Sequence, residues 1–202
     1  MKKTKPFLLL LCLCFGLSVS AQKNRAKLFF KDSTTQVGLA KISKSGNIVF
    51  RKEAKAKKVT YSSQDVYEVH IKEKGFYKRY FYKMDYESRK VQLLRLIKEG
   101  PVSLFGDIRQ YTTHTPYMNG NGSLNPGGGG SFKQTKETYY LCDGNDRLVV
   151  NIKKGNTHLN KFLEIAEIYF MDCPELISSI KNKEFSKYGI RDVIEYYNSY
   201  CK

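Results

Sequence analysis

The stretch VYEVHIKEKGFYKRYFYKM, residues 66–84, decides the fold. Tyr67, Val69 and Ile71 alternate with Glu68, His70 and Lys72, a period of two that predicts a strand with one buried and one wet face. Glu73-Lys74-Gly75 follows, and a tight hairpin needs a residue such as Gly at positive φ there. A second aromatic-rich run, 76–84, then returns antiparallel to the first. His70 falls on the wet side and reads as an exposed strand residue, not as a ligand.

Upstream, residues 28–31, 37–42, 47–51 and 59–61 are short β-type runs separated by polar turns, and Ser43-Lys44-Ser45-Gly46 supplies another hairpin glycine. Downstream, Val91, Leu94 and Ile97 have helical spacing in a short block that ends at Lys98-Glu99-Gly100-Pro101. The block reads as a hairpin strand leading into 102–108, with a helix as the alternative. Residues 111–136 hold Asn119-Gly120-Asn121-Gly122 and Pro126 followed by four glycines, without the GxxxxGK[ST] frame of a phosphate loop. They read as a flexible hairpin insertion. Strands are expected again at 138–142 and 148–152, around the turn-forming run Asp143–Asp146.

After residue 156 the period changes to 3.6. Thr157 is placed to cap a helix whose stripe is Leu159, Phe162, Leu163, Ala166, Tyr169 and Phe170. Asp172-Cys173-Pro174-Glu175 starts a second helix, with Pro at N1 and an Asp172/Glu175 capping box. Ile190, Val193, Ile194 and Tyr197 mark a third. The expected fold class is α+β: an antiparallel sheet or partly open barrel of about eight or nine strands, followed by three C-terminal helices. The sheet region, 22–155, and the helical region, 156–202, form one domain.

Lys2, Lys3 and Lys5 precede the apolar run 7–15, and Val19-Ser20-Ala21 fits a signal-peptidase site, so residues 1–21 read as a signal peptide and Gln22 as the mature N-terminus. The apolar run is about half of the roughly 20 residues a membrane span needs, so no transmembrane anchor is expected after cleavage. Cys12 and Cys14 follow no small residue and do not read as lipidation sites. Export leaves Cys142, Cys173 and Cys201 in an oxidising compartment. Cys173 and Cys201 flank one helical segment and are the favoured disulfide pair; three reduced, mostly buried thiols are the alternative. There is no CxxC, and His70, His114 and His158 are not spaced as zinc ligands. No metal or cofactor is expected.

The chain carries 35 Lys and Arg against 19 Asp and Glu. Without the three signal-segment lysines, residues 22–100 hold 20 basic and 8 acidic residues, and residues 101–202 hold 12 and 11. The excess belongs to the β half. It is densest at Arg51, Lys52, Lys55, Lys57 and Lys58, and again at Lys78, Arg79 and Lys83 among Phe76, Tyr77, Tyr80, Phe81 and Tyr82. One reading is solubility with lysines protecting sheet edges. The other is an anion-binding face, since cations interleaved with aromatics suit lipid phosphates, acidic glycans and extracellular nucleic acid. Cytoplasmic nucleic acid is excluded by export.

No GxSxG, metal-ligand cluster or placed carboxylate pair points to an enzyme. Cys173 stands at a helix N-terminus, which lowers a thiol's pKa, but no His is near it in sequence, and a structural role is the expectation. The function expected is therefore a non-catalytic module for an anionic envelope polymer or another envelope protein. A structural subunit without a ligand and a hydrolase with carboxylates remote in sequence are the alternatives.

Several short runs occur in a telling order: Gly38 to Ile42 followed by Ile48-Val49-Phe50, Tyr61-Ser62-Ser63-Gln64-Asp65-Val66, the run 99–105, Tyr139-Tyr140-Leu141, Asp172-Cys173-Pro174-Glu175-Leu176 and Tyr197-Asn198. In this order the chain resembles a group of secreted, functionally uncharacterised proteins of Bacteroidetes-type bacteria, over nearly its whole mature length. The Gly-rich insertion departs from that pattern. The resemblance implies an envelope address and transfers no catalytic residue.

Overall fold

A computed structural model describes residues 24–114, 117–118, 124–125, 130–144, 146–152, 160–186 and 189–202. The expected signal segment, the glycine runs 119–122 and 126–129, the Thr157 cap, His158 and Leu159 lie outside the described residues.

Among the described residues, ten strands form one sheet: β1 (Asn24–Phe30), β2 (Thr35–Ile42), β3 (Ile48–Arg51), β4 (Val59–Tyr61), β5 (Val66–Glu73), β6 (Phe76–Asp85), β7 (Val91–Lys98), β8 (Val102–His114), β11 (Ser131–Asp143) and β12 (Leu148–Asn151). Among the described residues, strands β9 (Tyr117–Met118) and β10 (Leu124–Asn125) pair with each other in a separate two-stranded ribbon. The large sheet runs β12-β11-β8-β7-β6-β5-β1-β2-β3-β4. Its hairpin and meander pairings are antiparallel, but β12 also pairs in parallel with β6, Leu148 opposite Met84 and Val149 opposite Asp85. One end of the sheet therefore curls back on itself while β4 leaves the other end open. The result is a curled sheet, not a closed barrel, in an α+β protein.

The β5–β6 hairpin turns at Lys74-Gly75, with φ of 49° and 92°. Two consecutive positive φ values give the type I′ geometry whose twist matches the flanking strands. Residues 91–98 resolve as strand, because both edges of β7 are taken by β6 and β8.

Two readings shift. The ladder between β8 and β11 runs unbroken from Val102 opposite Asp143 to His114 opposite Ser131, so 111–114 and 131–136 are paired strand and not part of a flexible insertion. Cross-strand pairing satisfies the backbone groups there, and residues 131–136 are exposed on both faces of their strand. In β5, Tyr67 is 44% exposed and Glu68 only 7%. A register shift against β1 between Phe29 and Phe30 skips Tyr67, so Val66 takes the core position and Tyr67 lies beside Phe29, ring centres 6.2 Å apart. Val69 and Ile71 are buried.

Strand β6 is a wall shared by two cores. Tyr80 and Tyr82 pack against Leu28, Ile48, Val69 and Ile71, while Phe81 packs with Leu94, Phe105, Tyr140, Cys142 and Val149 inside the curl. A third core lies where the helices cover β8, β11 and β12: Leu104, Leu141, Phe162, Phe170, Leu176 and Ile194 are fully buried there.

These helices are α1 (Asn160–Tyr169), α2 (Pro174–Lys181) and α3 (Ile190–Tyr196), and a single π turn, Tyr197–Cys201, follows α3. Pro174 begins α2, but the expected capping box is not formed, since the N-terminus of α2 has no side-chain cap. Asp172 is engaged elsewhere, accepting from the Tyr197 hydroxyl at 2.9 Å and from Lys202 at 2.5 Å. Cys173 and Cys201 are joined in a disulfide, Cα atoms 5.7 Å apart, and Cys142 is a buried free thiol.

Candidate functional site

The two basic sets read from the sequence go to different places. Arg51 ends β3, and its guanidinium donates to the carbonyl of Ala54 at 2.8 Å, folding the following loop over its own base. Lys52, Lys55, Lys57 and Lys58 are exposed on that loop, and none pairs with a carboxylate among the described residues. Glu53 is the single acidic residue of the run 51–58.

Lys78, Arg79 and Lys83 are on β6, and all three are engaged within the protein. Lys78 donates to Glu73 at 2.5 Å. Arg79 donates to Glu68 at 2.9 Å and to Glu99 at 2.7 Å, bridging β5 and the end of β7. Burial works against the charge on Arg79, but the bonds to the two carboxylates outweigh it, and its pKa is raised. His70 shares Glu68 at 2.6 Å and tilts against Phe29, ring centres 4.7 Å apart; it is half-buried, not freely exposed.

Lys83 does not reach solvent: it is 6% exposed and points into the curl of the sheet. Its ammonium donates to the carbonyl of Asp146, lies 3.6 Å from Cys142 Sγ and stands 4.9 Å from the ring centre of Phe105. A buried cation is tolerated only with such partners, and a carbonyl plus an aromatic face supply them. Burial pushes the Cys142 thiol pKa up, with Lys83 opposing.

No three His, Cys, Asp or Glu residues among the described residues are placed to hold a metal. Cys173, weighed above as a nucleophile, is committed to the disulfide. A groove of about 1280 Å³ runs between α1 and the ends of β8, β11 and β12, floored by Val102, Leu148, Val150 and Ile165 with Asp143, Asp146 and Glu164 on its lining. Tyr169 lines it too, its hydroxyl pKa pushed up to about 12 by burial and then by nearby negative charge. None of the predicted cations lines this groove.

Sequence reasoning missed the tip of the β5–β6 hairpin. Phe76 is 79% and Tyr77 57% exposed, at the start of the run 76–84 that the sequence assigns to a strand interleaving cations with aromatics, and the sequence reading gave the turn itself no role in contact. The signal was present in the turn: a two-residue Lys74-Gly75 loop places Phe76 at the first rung of the hairpin, opposite Glu73.

No family model, curated protein or solved structure matches the chain. No helix among the described residues is long and apolar enough to cross a membrane.

Proposed function

We propose that the protein is an exported, non-catalytic binding module of the cell envelope, and that its basic loop 51–58 holds an anionic envelope polymer or an acidic surface of another envelope protein. The observation that carries this reading is the loop itself, with four exposed lysines, no carboxylate partner among the described residues and a base folded by Arg51. Export is supported by the Lys-rich start, the apolar run 7–15 and Val19-Ser20-Ala21, and the resemblance to secreted Bacteroidetes-type proteins agrees with it. Lys78, Arg79 and Lys83 drop out of the binding face because their charges are already met inside the fold.

The test is retention on an acidic polymer across a salt series. Replacing Lys52, Lys55, Lys57 and Lys58 by Gln is expected to flatten the salt dependence, because fewer counterions are displaced. Replacing four lysines of the near-neutral C-terminal half is the control. Equal losses from both sets would show that only total charge matters, and a ligand-free structural subunit would then be the better reading.

A further inference from the structure

We infer that the tip of the β5–β6 hairpin is a second contact site, at the opposite end of the sheet from loop 51–58, and that it inserts into the interface of an anionic phospholipid bilayer. The site does not depend on the loop.

Both edges of the tip are left unpaired by the neighbouring strands. β1 is in register with β5 as far as Ile71, and β7 with β6 as far as Tyr80, while β5 and β6 stay paired with each other out to Lys72 opposite Tyr77 and Glu73 opposite Phe76. The last two rungs are held by their own ladder and the type I′ turn. Since successive side chains of a strand point to opposite faces, Phe76 and Tyr77 flank the tip on its two sides. Both are mostly in solvent.

That two-sidedness selects the partner. A folded protein docking on a hairpin covers one face and leaves the other aromatic in water. A bilayer interface surrounds whatever enters it, and aromatic side chains with flanking lysines are the residues that partition there. The charges agree. Lys72 and Lys74 are exposed at the tip, and Lys72 lies 6.0 Å over the Tyr77 ring. Glu73, the acidic residue of the turn, is neutralised by Lys78 and accepts from the Tyr80 hydroxyl at 2.9 Å. Ala26 pairs with both Gly38 and Ile71, so the end of β2 and its turn lie at this same end of the sheet and bring exposed Lys41 and Lys44 with them. Exposed cations at the same end of the sheet as two exposed aromatics complement the negative surface of an anionic leaflet.

The chain contains no Trp, so Phe76→Trp makes the tip the single indole of the protein. With vesicles of equimolar phosphatidylglycerol and phosphatidylcholine, its emission is expected to shift to the blue, and pure phosphatidylcholine is expected to give a much smaller shift. A Val59→Trp reporter on β4, next to the basic loop, is expected to stay unshifted. In vesicle co-sedimentation the Phe76→Ser/Tyr77→Ser double variant should bind at least roughly tenfold more weakly than the parent, with an unchanged thermal midpoint because neither side chain is packed. Sedimentation with an unshifted indole at position 76 would mean attachment by charge through the loop and overturn the inference. A blue shift that grows with protein concentration and needs no lipid would assign the tip to a second copy of the chain, and also overturns it.

Discussion

Asn198, in the turn after α3, holds the backbone of Val102 by both ends of its amide: Oδ1 accepts from the Val102 N–H at 3.1 Å and Nδ2 donates to the Val102 carbonyl at 2.9 Å. Gly100 makes room for it, since a Cβ at position 100 would lie 2.3 Å from Asn198 Nδ2. One residue before Asn198, the Tyr197 hydroxyl reaches Asp172, and three after it Cys201 is bonded to Cys173. The runs 99–105, 172–176 and 197–198 thus meet in one clasp between the sheet and the helices.

Asn198→Ala is expected to cost about 2 kcal/mol, because two half-buried backbone groups lose their partner. Gly100→Ala alone should cost a similar amount through collision with the same amide. In the double variant the second substitution should be nearly free. Urea unfolding of the four proteins measures the coupling, and strict additivity would refute a direct clash.

Reduction of the Cys173–Cys201 bond, or Cys201→Ser, is expected to lower stability by roughly 3 kcal/mol, the loss typical of a cross-link spanning a loop of this order. The two cysteines are separated by 28 positions in the sequence. Thiol titration of a chain beginning at Gln22, without reductant, should find Cys142 alone, and only after denaturation, because its side chain is fully buried.

Asp172 carries a pH prediction. Bonds from Lys202 and then Tyr197 hold its carboxyl below the ordinary value. A depressed folded pKa gives stability that is present above the unfolded pKa of about 4 and is lost as pH falls through the folded value. The gap in melting temperature between the parent and Asp172→Asn should therefore be widest near neutrality and close in acid. A gap independent of pH would show that the carboxylate charge of Asp172 contributes nothing.

Lys83→Met should leave retention on an acidic polymer unchanged, because this cation never reaches the surface. Stability is expected to hold, because the buried ammonium no longer has to be desolvated and the Asp146 carbonyl keeps the Cys142 thiol as a donor at 3.2 Å. Lys83→Glu should unfold the protein, placing a carboxylate against the Asp146 carbonyl. Weakened polymer binding in a folded Lys83→Met protein would put the residue back on the binding face.

What could be read from the chain and what could not separates along physical lines. The β5–β6 hairpin was legible because its turn glycine and its period of two are local signals. The bulge that exposes Tyr67 was not, since it arises from register against β1, a partner about 40 residues away in the chain by the spacing of Phe30 and Val66. The β8–β11 ribbon hid behind its glycine-rich neighbours: polar strands without a buried face carry little periodicity. The Asp172 cap failed because Tyr197 and Lys202 compete for the same carboxylate, and only the tertiary fold brings them there. Charge density marked the basic loop correctly as a cluster in sequence, but counting charges does not distinguish a solvated lysine from Lys78, Arg79 or Lys83, each of which is engaged inside the fold.

Strand β6, with one core on each side, also makes the chain unequally tolerant of change in length. A one-residue insertion or deletion within 76–85 would exchange the two faces of the strand, driving Arg79, Lys83 and Asp85 toward the core of Leu28 and Ile71 while sending Tyr80 and Tyr82 into the curl. Both errors would arise at once, and no local rearrangement mends them together. The loop 52–58 faces no such constraint, because it joins two strands at the open margin of the sheet. Lineages of this fold should therefore drift in length at the β3–β4 loop and keep β6 to a fixed count, so that β6 acts as the molecule's internal ruler.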